Sequence, residues 1–249
     1  MRLSASITKI RELNVPCING IYHMSLDQLG KLWSSDRDGK IIQTDLHGKQ
    51  IQKIKVTGGQ EGNHTITQLG DLIFTDKVGK AINRLAQDKN ITHFINTGIW
   101  EPYSIYYAHI NGEILVGMRK DREDKVTRFN KTGKELHNIL RDNKGGELYK
   151  SPQFITENIN GDICTSDYHM RVVVVNRLRQ HRFFCRGQKS VFCPYEICTD
   201  VFAHILVCDR LSDTIYLLDQ DGQFLSLLFT WQQGVYGPRS VCVDDENNL

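Results

Sequence analysis

The sequence predicts an all-β chain arranged as a six-bladed β-propeller. Three observations predict it: a short motif recurring six times, a proline landmark ahead of the later copies, and the lack of any sustained, doubly capped 3.6-residue periodicity. A chain of 249 residues, 40% hydrophobic and 24% charged, is long enough to bury one large core.

The motif is a small or polar pair, an apolar residue, alternation, and then usually Asp. It reads Gly30-Lys-Leu-Trp-Ser-Ser-Asp36, Gly70-Asp-Leu-Ile-Phe-Thr-Asp76, Gly112-Glu-Ile-Leu-Val-Gly-Met118, Gly161-Asp-Ile-Cys-Thr-Ser-Asp167 and Ala203-His-Ile-Leu-Val-Cys-Asp209, with a sixth start at Asn247-Asn-Leu249. Start-to-start spacings are 40, 42, 49, 42 and 44 residues. Pro102, Pro152, Pro194 and Pro238 each lie nine or ten residues before a start and are followed three positions later by Ile105, Ile155, Ile197 or Val241. Proline donates nothing to a ladder and belongs at the first residue of a strand. Downstream, apolar segments meet turns such as His47-Gly48, Lys131-Thr132-Gly133 and Gln220-Asp221-Gly222.

Each period therefore holds about four short strands, the pattern of a propeller blade. The blades fall at about 17–57, 62–97, 102–141, 152–187 and 194–230. The sixth is read as about 238–249 plus an N-terminal strand at about 5–10 that closes the ring. This last blade is incomplete, since a full copy needs roughly 25 to 30 more residues. The chain is therefore expected to be a fragment or to carry an open blade. The 49-residue third copy is attributed to the loop at 120–125.

Several classes are disfavoured. The longest apolar runs are far short of the roughly 18 residues a membrane helix needs, and residues 1–7 lack a signal-peptide core. Seven cysteines with no CxxC pair fit a reducing compartment, so a cytoplasmic location and no membrane contact are expected. The sequons at Asn63, Asn90 and Asn130 are read as chance. A net charge of +2 does not announce a nucleic-acid binder.

Pro-x-x-Ile/Val, then Gly-Asp-Ile/Leu with a closing Asp, then Asp-x-(Asp/Thr)-Gly resembles the NHL repeat, most clearly from Pro194 to Leu225. Over essentially the whole length the chain is similar to the C-terminal propeller of tripartite-motif (TRIM-NHL) proteins, particularly the mollusc set. The resemblance implies a non-enzymatic module that binds a protein partner on one face, as substrate adaptor of a TRIM-type ubiquitin ligase. In some members the ligand is single-stranded or stem-loop RNA, which is the first alternative. RING, B-box and coiled-coil segments lie upstream in that family, and any oligomerisation would come from the coiled coil. No RING or B-box zinc spacing occurs in this sequence. Met118 in place of Asp, and Ala203-His204 in place of Gly-Asp, depart from the pattern.

The partner-binding face is expected at the loops entering each innermost strand and those following the Asp motif. They gather Trp100, Tyr103, Tyr195, Trp231 and Tyr236 with Arg37, Lys77, Arg119, Lys120, Arg171, Arg210 and Arg239. Aromatics among arginines suit a protein hot spot and also stack bases. Glu101, Asp121, Glu123, Asp124, Glu147 and Asp213 make the face mixed, which favours protein. The repeating aspartates (Asp36, Asp76, Asp167, Asp209) are read as turn caps, and Cys164, Cys198, Cys208 and Cys242 as core. A basic group at Arg177, Arg179, His181, Arg182, Arg186 and Lys189 is read as a solvated blade edge. No catalytic residue, cofactor or metal is expected. The second alternative, a metal-dependent propeller hydrolase or lactonase, would use channel positions Gln68, Ala108, Asn158, Asp200 and Asp244, a set too mixed to form an ion site.

Overall fold

The computed structural model describes residues 12–27, 29–56, 62–167, 170–187 and 191–243. Five four-stranded antiparallel sheets follow one another along the chain, each made of consecutive strands. Blade 1 holds β1 (His23–Leu26), β2 (Leu32–Ser35), β3 (Lys40–Thr44) and β4 (Gln50–Lys55). Blade 2 holds β5 (His64–Ile66), β6 (Leu72–Asp76), β7 (Ala81–Leu85) and β8 (Ile91–Asn96). Blade 3 holds β9 (Glu101–Ala108), β10 (Glu113–Lys120), β11 (Glu123–Phe129) and β12 (Glu135–Ile139). Blade 4 holds β13 (Pro152–Glu157), β14 (Ile163–Asp167), β15 (Arg171–Val175) and β16 (His181–Cys185). Blade 5 holds β17 (Pro194–Thr199), β18 (Ile205–Asp209), β19 (Thr214–Leu218) and β20 (Phe224–Phe229). The one helical element among the described residues is a 3-10 turn at Trp231–Gln233, so no described helix is long and apolar enough to cross a membrane.

The architecture is thus a β-propeller with five blades, which corrects the expected six. Residues 238–243 keep the proline landmark, but no strand forms there. A single extended segment with no sibling strand has no ladder to join. It is held instead by its neighbours: the Glu196 N–H donates to the Arg239 carbonyl at 3.2 Å, and the Met24 N–H donates to Ser240 Oγ at 2.8 Å. Val241 is buried against Leu206, Cys208, Ile215 and Leu217 of blade 5. Residues 239–243 therefore bridge blades 5 and 1. The expected closing strand at about 5–10, and residues 244–249, lie outside the described residues.

The core lies between blades. Middle strands are buried on both faces, as in β6, β14, β18 and β19, so both faces are apolar and each packs on a neighbour. Ile73, Ile82 and Ile95 of blade 2 meet Ile105, Tyr107, Ile114, Val116, Met118 and Phe129 of blade 3. Met118, which departs from the repeating Asp, is 1% exposed in this layer. Outermost strands such as β4 (burial alternating along Gln50–Lys55) are half exposed.

The extra length of the third copy does not lie at 120–125, where β10 and β11 are joined by a tight turn at Asp121 and Arg122. It lies at residues 140–151, which carry an isolated bridge between Arg141 and Glu147 and bury Leu148 and Tyr149 between blades 3 and 4. Two large side chains need an insertion to reach that interface.

Gly117 in β10 marks the tightest approach of blade 3 to blade 4. A Cβ there would run into Ser104 Oγ and meet the Pro152 carbonyl oxygen at 3.0 Å. Both are fixed, because the Ser104 hydroxyl donates to that carbonyl at 2.9 Å. Gly117→Ala is expected to cost about 1–3 kcal/mol through overpacking, read as a lowered denaturation midpoint; an unchanged midpoint would show that the two blades can part at no cost.

Candidate functional site

The loops that precede the innermost strands and those joining second to third strands share one face of the ring. Blades 1, 3, 4 and 5 converge there on a pocket of about 200 Å³ lined by Tyr22, Arg37, Tyr103, Gln153, Phe154, Pro194 and Tyr195. Arg37 comes from the β2–β3 loop, whereas Tyr103, Gln153 and Tyr195 come from the first residues of β9, β13 and β17. The proline-led starts of the innermost strands thus aim their second or third residues at one point.

The pocket floor is aromatic. Tyr22, Phe154 and Tyr195 have ring centroids 5.8 to 6.3 Å apart, in tilted and edge-on pairs. Cations rim it. Lys77 Nζ sits 4.1 Å from the Tyr103 ring centre, and Arg210 lies 5.5 Å from that of Tyr195 while donating to its hydroxyl at 3.2 Å. Loop 231–239 is tied down beside Arg210, because the Gly237 N–H donates to Asp213 at 2.6 Å.

Of the twelve residues expected on the partner face, five therefore cluster: Arg37, Lys77, Tyr103, Tyr195 and Arg210. Trp231 and Tyr236 stand exposed on the adjoining loop. The others have separate tasks. Trp100 packs between blades 2 and 3 with Lys125 Nζ 4.4 Å from its ring. Arg119 lies 4.0 Å from Asp124, and Lys120 pairs with Glu123 in the ladder. Arg171 stacks on Phe184 at 4.3 Å and donates to the Leu148 carbonyl at 3.0 Å. Arg239 offers its carbonyl to Glu196.

The repeating aspartates hold loops on this face. Asp36 accepts from the Asp38 and Lys40 amides, Asp76 from Gly79, Asp167 from Lys150, and Asp209 from Cys193 and Leu211. All four are buried, and in each an oxygen accepts backbone amides of the adjoining loops.

Below the aromatic floor lies a buried polar group that the sequence did not single out. His23, whose ring is 5.6 Å from Phe154 and 4.6 Å from His64, touches Glu196 and, through it, Ser240. His23, His64 and Glu196 border the central cavity of about 530 Å³, along with Ser25, Thr65, Tyr106, Thr156, Cys198 and Thr199. Sequence reasoning passed over His23 and His64 because the histidines do not share one repeat position. Their separation of 41 residues, close to one repeat, was the available signal.

The proton positions follow from partners. His23 Nε2 is 2.6 Å from the His64 carbonyl, which only accepts, so Nε2 carries the proton. Nδ1 lies 2.8 Å from Glu196 Oε1, a contact that a neutral ring and a neutral carboxyl make without burying charge. Ser240 donates to the other carboxyl oxygen and accepts from the Met24 amide. Burial drives the same assignment. It lowers His23 to about 4 and His64 to about 3, the latter helped by His23, and raises Glu196 well above its usual value against the pull of the Val241 and Met24 amides.

The channel positions weighed for a metal are elsewhere. Asn158 and Asp200 each hold a hairpin turn by accepting two backbone amides, Gln68 lies in the equivalent turn, Ala108 ends β9, and Asp244 is outside the described residues. Among the described residues no three His, Cys, Asp or Glu side chains are placed to hold an ion. All seven cysteines are free thiols, and burial raises those of Cys164, Cys198 and Cys208.

No family model matches the chain, and no curated protein matches it. Solved structures do. Virginiamycin B lyase from Staphylococcus aureus superposes with a TM-score of 0.67 at 18% identity, over 89% of this chain and 73% of that one. A chain of the nidogen/laminin complex gives a TM-score of 0.70 at 14% identity, over 88% and 83%. PorZ of Porphyromonas gingivalis gives 0.59 at 15%, over 84% and 33%. At such identities the likeness shows the fold alone. The chain is a β-propeller.

The two histidines and Glu196 have opposite effects on stability. The histidines are depressed below 6.5, so the folded chain binds fewer protons than the unfolded one between about 4 and 6.5, and stability falls as pH drops through that window. Glu196 is raised above 4.5, so its contribution is full below that value and fades as pH climbs through the folded pKa. Glu196→Gln, which keeps a neutral donor and acceptor, is expected to match the parent near pH 5 and to gain relative to it in alkali. Glu196→Ala is expected to lose about 2–3 kcal/mol by leaving His23 and Ser240 unpaired. Denaturant melts across pH check this, and equal losses for both variants at every pH would sink the neutral-carboxyl assignment.

Proposed function

We propose that this propeller is a recognition module that binds a protein segment in the aromatic pocket. The observation that carries the reading is the convergence of Tyr22, Phe154, Tyr103 and Tyr195 with Arg37 in one pocket, with Arg210 on the Tyr195 ring beside it. Rigid aromatic walls lose little conformational entropy on binding, and a concave site of this composition is where hot spots form. The rim cations favour a segment carrying a carboxylate next to an apolar or aromatic side chain. Exposed Trp231 and Tyr236 on the adjoining loop extend the surface available to the rest of that segment. The NHL-type repeat residues support the finer reading, a substrate adaptor of the tripartite-motif kind.

Screening a displayed peptide library against the folded chain tests this. Enriched sequences are expected to pair an acidic with an aromatic residue, and Tyr195→Ala with Arg37→Ala is expected to weaken them at least about tenfold. Failure to enrich any peptide, alongside capture of RNA whose affinity falls steeply with salt, would replace this reading with the nucleic-acid one.

A further inference from the structure

The opposite face of the ring carries a different repeating feature. There the turn between the first and second strands of every blade ends in an apolar tip: Leu29, Leu69, Ile110, Ile159 and Phe202. These five side chains are between 59% and 78% exposed, although the chain buries most of its other Leu, Ile and Phe side chains. The turns need no apolar residue for their own sake. Their shape is set by backbone bonding, with Asp27, Asn158 and Asp200 each accepting amides two and four residues ahead. One exposed apolar residue is ordinary, but an exposed apolar residue in this turn of all five blades, at the third turn residue in blades 1, 2 and 5, makes a crown around one mouth of the ring.

Outside the crown the turns of blades 3, 4 and 5 differ in charge, while those of blades 1 and 2 carry both signs. The third-to-fourth strand turn of blade 4 reads Asn176-Arg177-Leu178-Arg179-Gln180, and that of blade 3 has Lys131 and Lys134 beside Asn130. The same turn of blade 5 reads Asp219-Gln220-Asp221-Gly222-Gln223. Basic and acidic sectors thus sit side by side on one face. Blades 4 and 5 touch there: Arg182 reaches Asp162 and Asp221, and Asn160 donates to Gln220 at 2.8 Å.

We infer that this crown is the interface of a face-to-face homodimer. A two-fold axis in the plane of the face, passing between blades 4 and 5, sets the basic turn of each copy's blade 4 on the acidic turn of its partner's blade 5. It also brings the apolar tips of the two rings together. The face is self-complementary in charge, which an isologous interface requires. An anionic bilayer fits less well, because the acidic turn of blade 5 would face it. The site lies opposite the aromatic pocket, so it does not depend on the peptide-binding reading and leaves that pocket open.

Sedimentation of the 249-residue chain over a range of concentration and salt tests the inference. A dimer that dissociates on dilution and weakens with salt is expected. Leu69→Asp with Phe202→Asp should give a monomer with an unchanged melting midpoint. Arg177→Glu with Arg179→Glu, and separately Asp221→Lys with Gln223→Lys, should each raise the dissociation constant at least about tenfold. Mixing those two charge-reversed chains should restore dimers, because both contacts of the mixed pair regain opposite charges. A chain that stays monomeric at its highest soluble concentration overturns the inference. So does a dimer indifferent to the charge reversals, or a monomer that binds phosphatidylserine vesicles through the tips.

Discussion

Face-to-face burial between sheets is the constraint on which this molecule rests. A blade such as β5 to β8 has middle strands buried on both sides, so alone it would expose two apolar faces. Each face is satisfied only by a neighbour, and a linear stack would leave both ends wet. Bending the stack into a ring leaves one junction to close, between blades 5 and 1. Residues 239–243 fill that junction, where Ser240 meets the buried Glu196, which in turn lies against His23. The polar group is thus a product of closure as much as a feature of the cavity it borders.

The same geometry builds the aromatic pocket. Innermost strands run in the same direction around the ring, so their first residues all emerge on one face. Tyr103, Gln153 and Tyr195 follow or adjoin the prolines that start β9, β13 and β17, and their side chains converge because their strands do. Buried aspartates hold the intervening loops from below, and Lys77 and Arg210 sit on aromatic rings at 4.1 and 5.5 Å.

What was legible in the sequence is what repeats. Alternation, the Gly-led start and the proline landmark located strands in all five blades, because each reports a local backbone requirement. The number of blades was not legible, since residues 238–243 retain the landmark that begins a strand while lacking the sibling strands that would make it one. Arg37, Tyr103 and Tyr195 were found by loop position, whereas Trp100 and Arg171 share that position and are used up in packing and in binding carbonyls. Glu196 escaped because its meeting with His23 depends on ring closure, a contact between distant parts of the chain. The crown of Leu29, Leu69, Ile110, Ile159 and Phe202 was written in the turns but looked like ordinary scatter until exposure was known.

The contact between Met24 and Ser240 joins residues 216 positions apart. During synthesis blade 1 is made before its closing partner, so the face it turns to that partner must wait, unpaired, while four further blades are translated. Local hairpins within each blade form quickly, but the ring locks only at the end. Folding of this chain is therefore governed by the time an unfinished circle remains open.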